Sequence, residues 1–190
     1  MNLEMKYKQI DRNLLEGYRR PTGREVSGIQ RYLLPDLKKT RRLMRIGSIL
    51  CSIAAVGMAA ALFVRNSGSA SKEAFVNVVL AAVFAAVVIV LEKRLTVNRT
   101  LTANIREGRF EVLDCLAYAG DASGDIVGGG EVKVHNMQGQ YCRDRFTVDR
   151  ESVKEYMDGA DIPFLLMKSV CGRQNKEVFY ELFSWRKLEG

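Results

Sequence analysis

Residues 46–64 read IGSILCSIAAVGMAAALFV and residues 74–91 read AFVNVVLAAVFAAVVIVL, runs of 19 and 18 residues without a formal charge. Roughly 20 apolar residues in a helix cross a hydrocarbon core of about 30 Å. Two buried helices of a soluble bundle would keep a polar stripe, whereas residues 78–90 are apolar on every face of a helix. The runs therefore predict a two-helix transmembrane hairpin over residues 46–91, with residues 65–73 as a short external loop. The first run starts too far from the N-terminus to be a cleaved signal peptide.

The flanks predict an orientation. Lys38, Lys39, Arg41, Arg42 and Arg45 precede the first run, and Lys93, Arg94 and Arg99 follow the second; the connection holds only Arg65 and Lys72 against Glu73. Positive flanks stay in the cytoplasm, so both termini are expected there, in a multi-pass protein of the cell membrane. The five cations before the first run are the expected contacts for anionic lipid. They belong to a basic arm, residues 1–45, with 12 Lys/Arg against 5 Asp/Glu, while residues 46–190 carry 17 of each. A net charge of +7 would ordinarily raise nucleic acid as a partner. Here the excess leads straight into the apolar run and is accounted for by topology. The four cysteines are too sparse for a disulfide scaffold. Cys115, Cys142 and Cys171 are expected as free cytoplasmic thiols, and Cys51 as a small packing residue.

Within the spans, Ser48 and Ser52, Gly57 and Ala61, Ala81 and Ala85, and Ala82 and Ala86 repeat at four residues. Small side chains at that spacing let helix backbones approach closely, and a homo-oligomer is expected. Neither run holds Asp, Glu, Lys, Arg or His, and Asn77 is the one strongly polar side chain. A two-span transporter acting alone is not expected, and a pore would need several copies.

In the arm, Leu3, Tyr7, Ile10, Leu14 and Tyr18 recur at three- and four-residue steps, which predicts a helix over residues 3–19 stopped by Pro21 and Gly23. A second helix is expected from Thr22 or Arg24 to Leu34, with Val26, Ile29, Leu33 and Leu37 on one side, and Pro35 and Asp36 begin the approach to the membrane. Arg12, Arg19, Arg20, Arg24 and Arg31 lie among these apolar positions. Such helices lie on an anionic leaflet, or cover the protein's own soluble domain or a sister subunit, and both readings stay open.

Beyond Arg99 the pattern changes to period two, and a cytoplasmic β-barrel domain is expected over residues 92–190. Strands are predicted at residues 109–119, with Phe110, Val112, Leu116 and Tyr118 on one face, and at 129–136, with Val132 and Val134 inward. A third is predicted at 141–148, with Cys142, Phe146 and Val148 sharing a face with Asp144. The turn Met137-Gln138-Gly139-Gln140 joins the second and third. A short helix at 150–157 follows, then strands at 163–171 and 177–187, with Phe146, Leu166, Phe179 and Phe183 in the core. The fold class is α+β, and the order β-β-β-α-β-β predicts a small antiparallel barrel of OB-like type, with an SH3-like barrel as the alternative. In the order and size of its parts the chain resembles small bacterial membrane proteins that carry an OB-like barrel behind transmembrane helices. It also resembles the two-span barrel effectors of bacterial anti-phage signalling.

Candidate chemistry is thin. His135, the only histidine, is predicted on an outward face, and the cysteines stand too far apart for the paired spacing of a structural zinc site. Gly128-Gly129-Gly130 lacks the P-loop pattern, and Asp114, Asp121, Asp125 and Glu131 match no calcium loop. Tyr141, Arg143 and Arg145 alternate on one strand beside Lys133. With Gly129 these cations form the candidate anion-binding surface, or else a salt-bridged barrel wall. No catalytic constellation, metal site or cofactor is expected. The function expected is that of a non-enzymatic membrane protein anchoring a cytoplasmic barrel for assembly or recruitment. The alternative is a ligand-gated effector whose barrel senses a nucleotide or other anion and whose spans oligomerise to disturb the bilayer.

Overall fold

The computed structural model describes residues 8–12, 15–64, 72–118, 130–148, 162–172, 177–185 and 188. In chain order these form β1 (Lys8–Ile10), α1 (Gly23–Val64), α2 (Lys72–Glu107), β2 (Glu111–Tyr118), β3 (Gly130–Asn136), β4 (Gln140–Val148), β5 (Ile162–Cys171) and β6 (Glu177–Ser184). Two long apolar helices thus precede five antiparallel strands curled into a nearly closed, barrel-like sheet. The helix expected at 150–157, most of the external loop and Gly129 lie outside the described residues. Two compact units divide the chain: residues 1–33, 104–170 and 178–190, and residues 34–103 and 171–177.

In the first unit the strands run β1-β4-β3-β2-β5-β6. β2 pairs antiparallel with both β3 and β5, with Cys115 opposite Asn136 on one side and Phe164 on the other. The interior is lined by Leu113, Cys115, Val132, Val134, Cys142, Phe146, Val148, Phe164, Leu166 and Leu182. The inward residues expected for β3, Val132 and Val134, and the shared face of Cys142, Phe146 and Val148 in β4 are therefore observed. For β2 the faces are reversed: Leu113 and Cys115 point inward, while Phe110 and Val112 are buried on the opposite side and Leu116 is only half-buried. The reason lies in β5, where Phe164, Leu165, Leu166 and Met167 are all fully buried. This part of the sheet is covered on both faces, so alternation no longer marks the interior.

Its second cover is helical. Tyr32 of α1 meets Phe183 of β6 edge to face, with ring centroids 5.7 Å apart, and Asn104 of α2 donates hydrogen bonds to Ser169 Oγ and the Val170 carbonyl of β5. Ile29 and Ile105 are fully buried in the same unit. Of the four expected core residues, Phe146 and Leu166 are interior, Phe183 is buried against the helix and Phe179 is half-buried.

The helix expected at residues 3–19 is not what the described residues form. Lys8–Ile10 is a strand, paired parallel to Gln140–Cys142 of β4, and residues 15–20 are extended or irregular. Leu15 enters the barrel core, with Tyr18 packed against it. Gly17, at φ 93°, makes the turn between them; a side chain there would press on Gln138 and Leu113. Asn136 holds this segment, donating to the Glu16 carbonyl at 3.0 Å while its Oδ1 accepts from the Gln138 and Gln140 amides. Residues 15–19 thus stopper one end of the barrel. An available sheet edge and an open barrel end satisfy these residues better than a solvated helix, whose backbone bonds come with no burial.

The second unit holds most of the helical pair. α1 is a single helix of 42 residues, about 63 Å at 1.5 Å per residue. It passes through Pro35, beyond the helix end expected at Leu34. A proline costs roughly 3 kcal/mol inside a helix, but side-chain bonds lock this one on both sides. Gln30 donates to the Ile105 and Arg106 carbonyls, and beyond the proline Arg41 donates to Asn98 Oδ1 and to Thr102 Oγ1, while Asn98 donates to the Leu37 carbonyl.

Candidate functional site

Almost none of the apolar length of either helix is buried within the chain, 6% in α1 and 0% in α2. Ile46, Ile49, Leu50, Ile53 and Val56 of α1 and Phe75, Val78, Val83, Ile89 and Val90 of α2 are all exposed. Monomeric soluble proteins rarely expose a contiguous apolar face of that extent. Both helices are long and apolar enough to cross a membrane. Where they meet, Ser48 Oγ donates to Glu92 Oε1 at 3.0 Å, and Leu91 fills the place where Gly47 has no side chain.

The expected packing residues divide. Ser48 is buried, and Ser52 and Ala81 are half-buried; Gly57, Ala61 and Ala85 are exposed, with open space where a Gly57 side chain would stand. The expected lipid-contacting cations divide as well. Arg41 is spent on Asn98 and Thr102. Lys38, Lys39, Arg42 and Arg45 are exposed, as are Lys93, Arg94 and Arg99 of α2 at the matching level. None of these seven has a hydrogen bond or ion pair among the described residues. They form a band of free positive charge where the apolar helices end.

On the barrel, Lys133 and Arg145 stand directly opposite each other across β3 and β4. Arg145 lies 3.6 Å from Glu131, and Arg143 is exposed. The cations share one outer face, with a carboxylate among them. His135, expected on a solvated face, is 2% exposed; a register shift between Lys133 and His135 re-aims the strand there. Burial pushes the Cys142 thiol up to about 11, the opposite of what a nucleophilic thiolate needs.

No protein family, curated protein or solved structure matches this chain.

Two arginines of the arm, Arg12 and Arg19, serve the barrel. Arg12 lies 3.3 Å from Asp144 of β4 and 5.4 Å from the Tyr180 ring of β6, spanning the seam where the sheet does not close. Arg19 is the centre of a tighter cluster: it exchanges backbone hydrogen bonds with Val112, and its guanidinium donates to Glu25 at 2.6 and 2.9 Å and to Asp114 at 2.8 and 3.1 Å. Glu25 also accepts from the Thr22 amide at 2.6 Å, while its own amide donates to Thr22 Oγ1. Residues 22–25, Thr-Gly-Arg-Glu, spell a capping box, a signal legible in the sequence that the reading above missed. The stopper, the start of α1 and β2 thus meet on Arg19, whose partner Glu25 is 3% exposed.

Arg19, aided by Thr22, holds the Glu25 carboxyl below its ordinary range. The folded state therefore binds fewer protons there, so the stabilisation is complete above the unfolded value of about 4.3 and drains as pH falls through the folded one. Glu25→Gln is expected to cost about 2–3 kcal/mol at pH 7, discounted for the partly exposed Arg19, and to flatten the stability profile below about pH 4. Guanidinium titrations of both proteins from pH 7 to 3 measure this; parallel profiles would remove Glu25 from that role.

Proposed function

We propose that this is a non-enzymatic integral membrane protein whose two-helix hairpin anchors an OB-like β-barrel at the cytoplasmic face, for assembly or recruitment of a partner there. The observation that carries the reading is the exposed apolar surface of both helices, bounded at one end by seven cations with no partner among the described residues. A bilayer satisfies both halves of that surface at once. Strand order supports the OB-like form over the SH3-like one. The strand after the 149–161 segment, β5, returns to the first barrel strand, β2, and not to its predecessor β4. The Arg145–Glu131 pair favours a salt-bridged wall over an anion sensor, and so the scaffold over the ligand-gated effector.

Both termini are cytoplasmic in this reading. Cysteine placed at Ser69, in a chain with its four native cysteines replaced, is expected to react with an impermeant maleimide in intact cells. Labelling of an added C-terminal cysteine instead would reverse the topology, and release of the chain by alkaline carbonate would remove it from the membrane altogether.

The reading includes a homo-oligomer. Gly57 and Ala61 are exposed, with open space where a Gly57 side chain would stand, which supports close packing there against another copy. Gly57→Leu is then expected to weaken dimer cross-linking through Cys51 while leaving the hairpin intact. Equal cross-linking in both proteins would exclude packing through this face.

A further inference from the structure

One surface of α2 has the form of a binding site. Val83, Ala86, Val87, Val90, Leu91 and Arg94 line a groove of about 430 Å³. Their spacing puts them on a single helix face. Five are apolar, and the sixth is a cation at the end of the stripe. Arg94 has no hydrogen bond or ion pair among the described residues, whereas Arg41 of α1 is consumed by Asn98 and Thr102. From Val83 to Arg94 is 11 residues, about 16 Å of helix, against about 15 Å for one leaflet of a 30 Å hydrocarbon core. The groove therefore runs the depth of a single leaflet and finishes with a guanidinium at headgroup level.

We propose that this groove binds an anionic phospholipid, with one acyl chain along the stripe from Val83 to Leu91 and the phosphate on Arg94. The proposal rests on the membrane reading above and adds a site and a ligand class to it. An apolar wall of that length has no use for a free phosphate, and an acyl chain alone has no use for Arg94; an anionic phospholipid uses both. Exposed Lys93, Arg42 and Arg45 raise the local concentration of negative headgroups. Arg94, with its planar fork of donors, holds one of them.

The test uses the full chain in phosphatidylcholine vesicles. Trp185→Phe removes the single native tryptophan, and Val87→Trp then reports from inside the groove. Ile89→Trp, at nearly the same depth on another face of α2, reports general enrichment of anionic lipid. Quenching by brominated phosphatidylglycerol is compared with quenching by brominated phosphatidylcholine at equal mole fraction. The expected result is a preference for the anionic lipid about fivefold larger at position 87 than at position 89. Arg94→Gln is expected to abolish the difference, and Arg94→Lys to restore part of it. Equal preference at the two positions, or a preference that survives Arg94→Gln, overturns the proposal while leaving the membrane reading intact. Quenching at 89 with none at 87 means that a second copy of the chain covers the groove, and also overturns it. No quenching at either position by either lipid brings down the membrane reading itself.

Discussion

Truncating Phe183 to Ala is expected to destabilise the barrel unit by about 3–5 kcal/mol, a large part of what a domain of this size possesses. The side chain is 1% exposed, and β6 aims it away from the barrel interior, where its ring meets Tyr32 of α1 edge to face. The loss therefore combines the apolar area of a whole ring, the cavity left behind, and an aromatic pair worth about 0.5–1.5 kcal/mol of its own. Tyr32→Leu should remove mainly that last part, because leucine keeps much of the apolar cover and Tyr32 is already 39% exposed. Guanidinium titration of the full chain in detergent, followed by Trp185 fluorescence, measures both. A loss under about 1 kcal/mol for Phe183→Ala would mean that the start of α1 does not cover β6.

A comparable loss is expected from Leu15→Ala, about 2–5 kcal/mol. Leu15 is 4% exposed and belongs to the same interior cluster as Leu113, Val134 and Phe164. It lies nearly a hundred residues before β2 and on the far side of both apolar helices in the chain. Leu15→Met, which keeps the volume, should cost less than about 1.5 kcal/mol. The same contrast predicts that residues 100–190 alone lack part of their core: without the N-terminal segment they lose Leu15, the Arg19–Asp114 pair and the strand paired to β4. An isolated fragment as stable as the full chain, or a Leu15→Ala loss under about 1 kcal/mol, would show that residues 15–19 do not stopper the barrel.

The errors of sequence reading share a physical cause. Spacing of Leu3, Tyr7, Ile10, Leu14 and Tyr18 fits a helix, yet periodicity carries no information about whether a sheet edge stands ready elsewhere in the chain. The edge of β4 and the open barrel end supply partners for these residues that no local window contains. The cost of Pro35 is local and visible in the sequence, whereas the bonds that outweigh it come from Asn98, Thr102 and the end of α2. The reversed faces of β2 have the same origin: with helices on the second side, Val112 is as buried as Cys115. Among the candidate residues, charge alone does not tell Arg41 from its neighbours, and only the fold separates the cation spent on α2 from those left exposed.

Taken alone, the sequence determined the properties that depend on a residue and its near neighbours. Two uncharged runs of membrane length make two long apolar helices. Alternation in β3 and β4, with the turn at Met137-Gln138-Gly139-Gln140, makes a hairpin whose inward residues were identified in advance. Burial on a single face leaves a period that survives in one dimension. Tertiary structure alone decided which arginines are free, how the N-terminal segment is used, and which face of β2 is interior. Each of these is set by residues tens of positions away, and the energy that selects among them comes from burial and pairing that exist only once the chain has closed on itself.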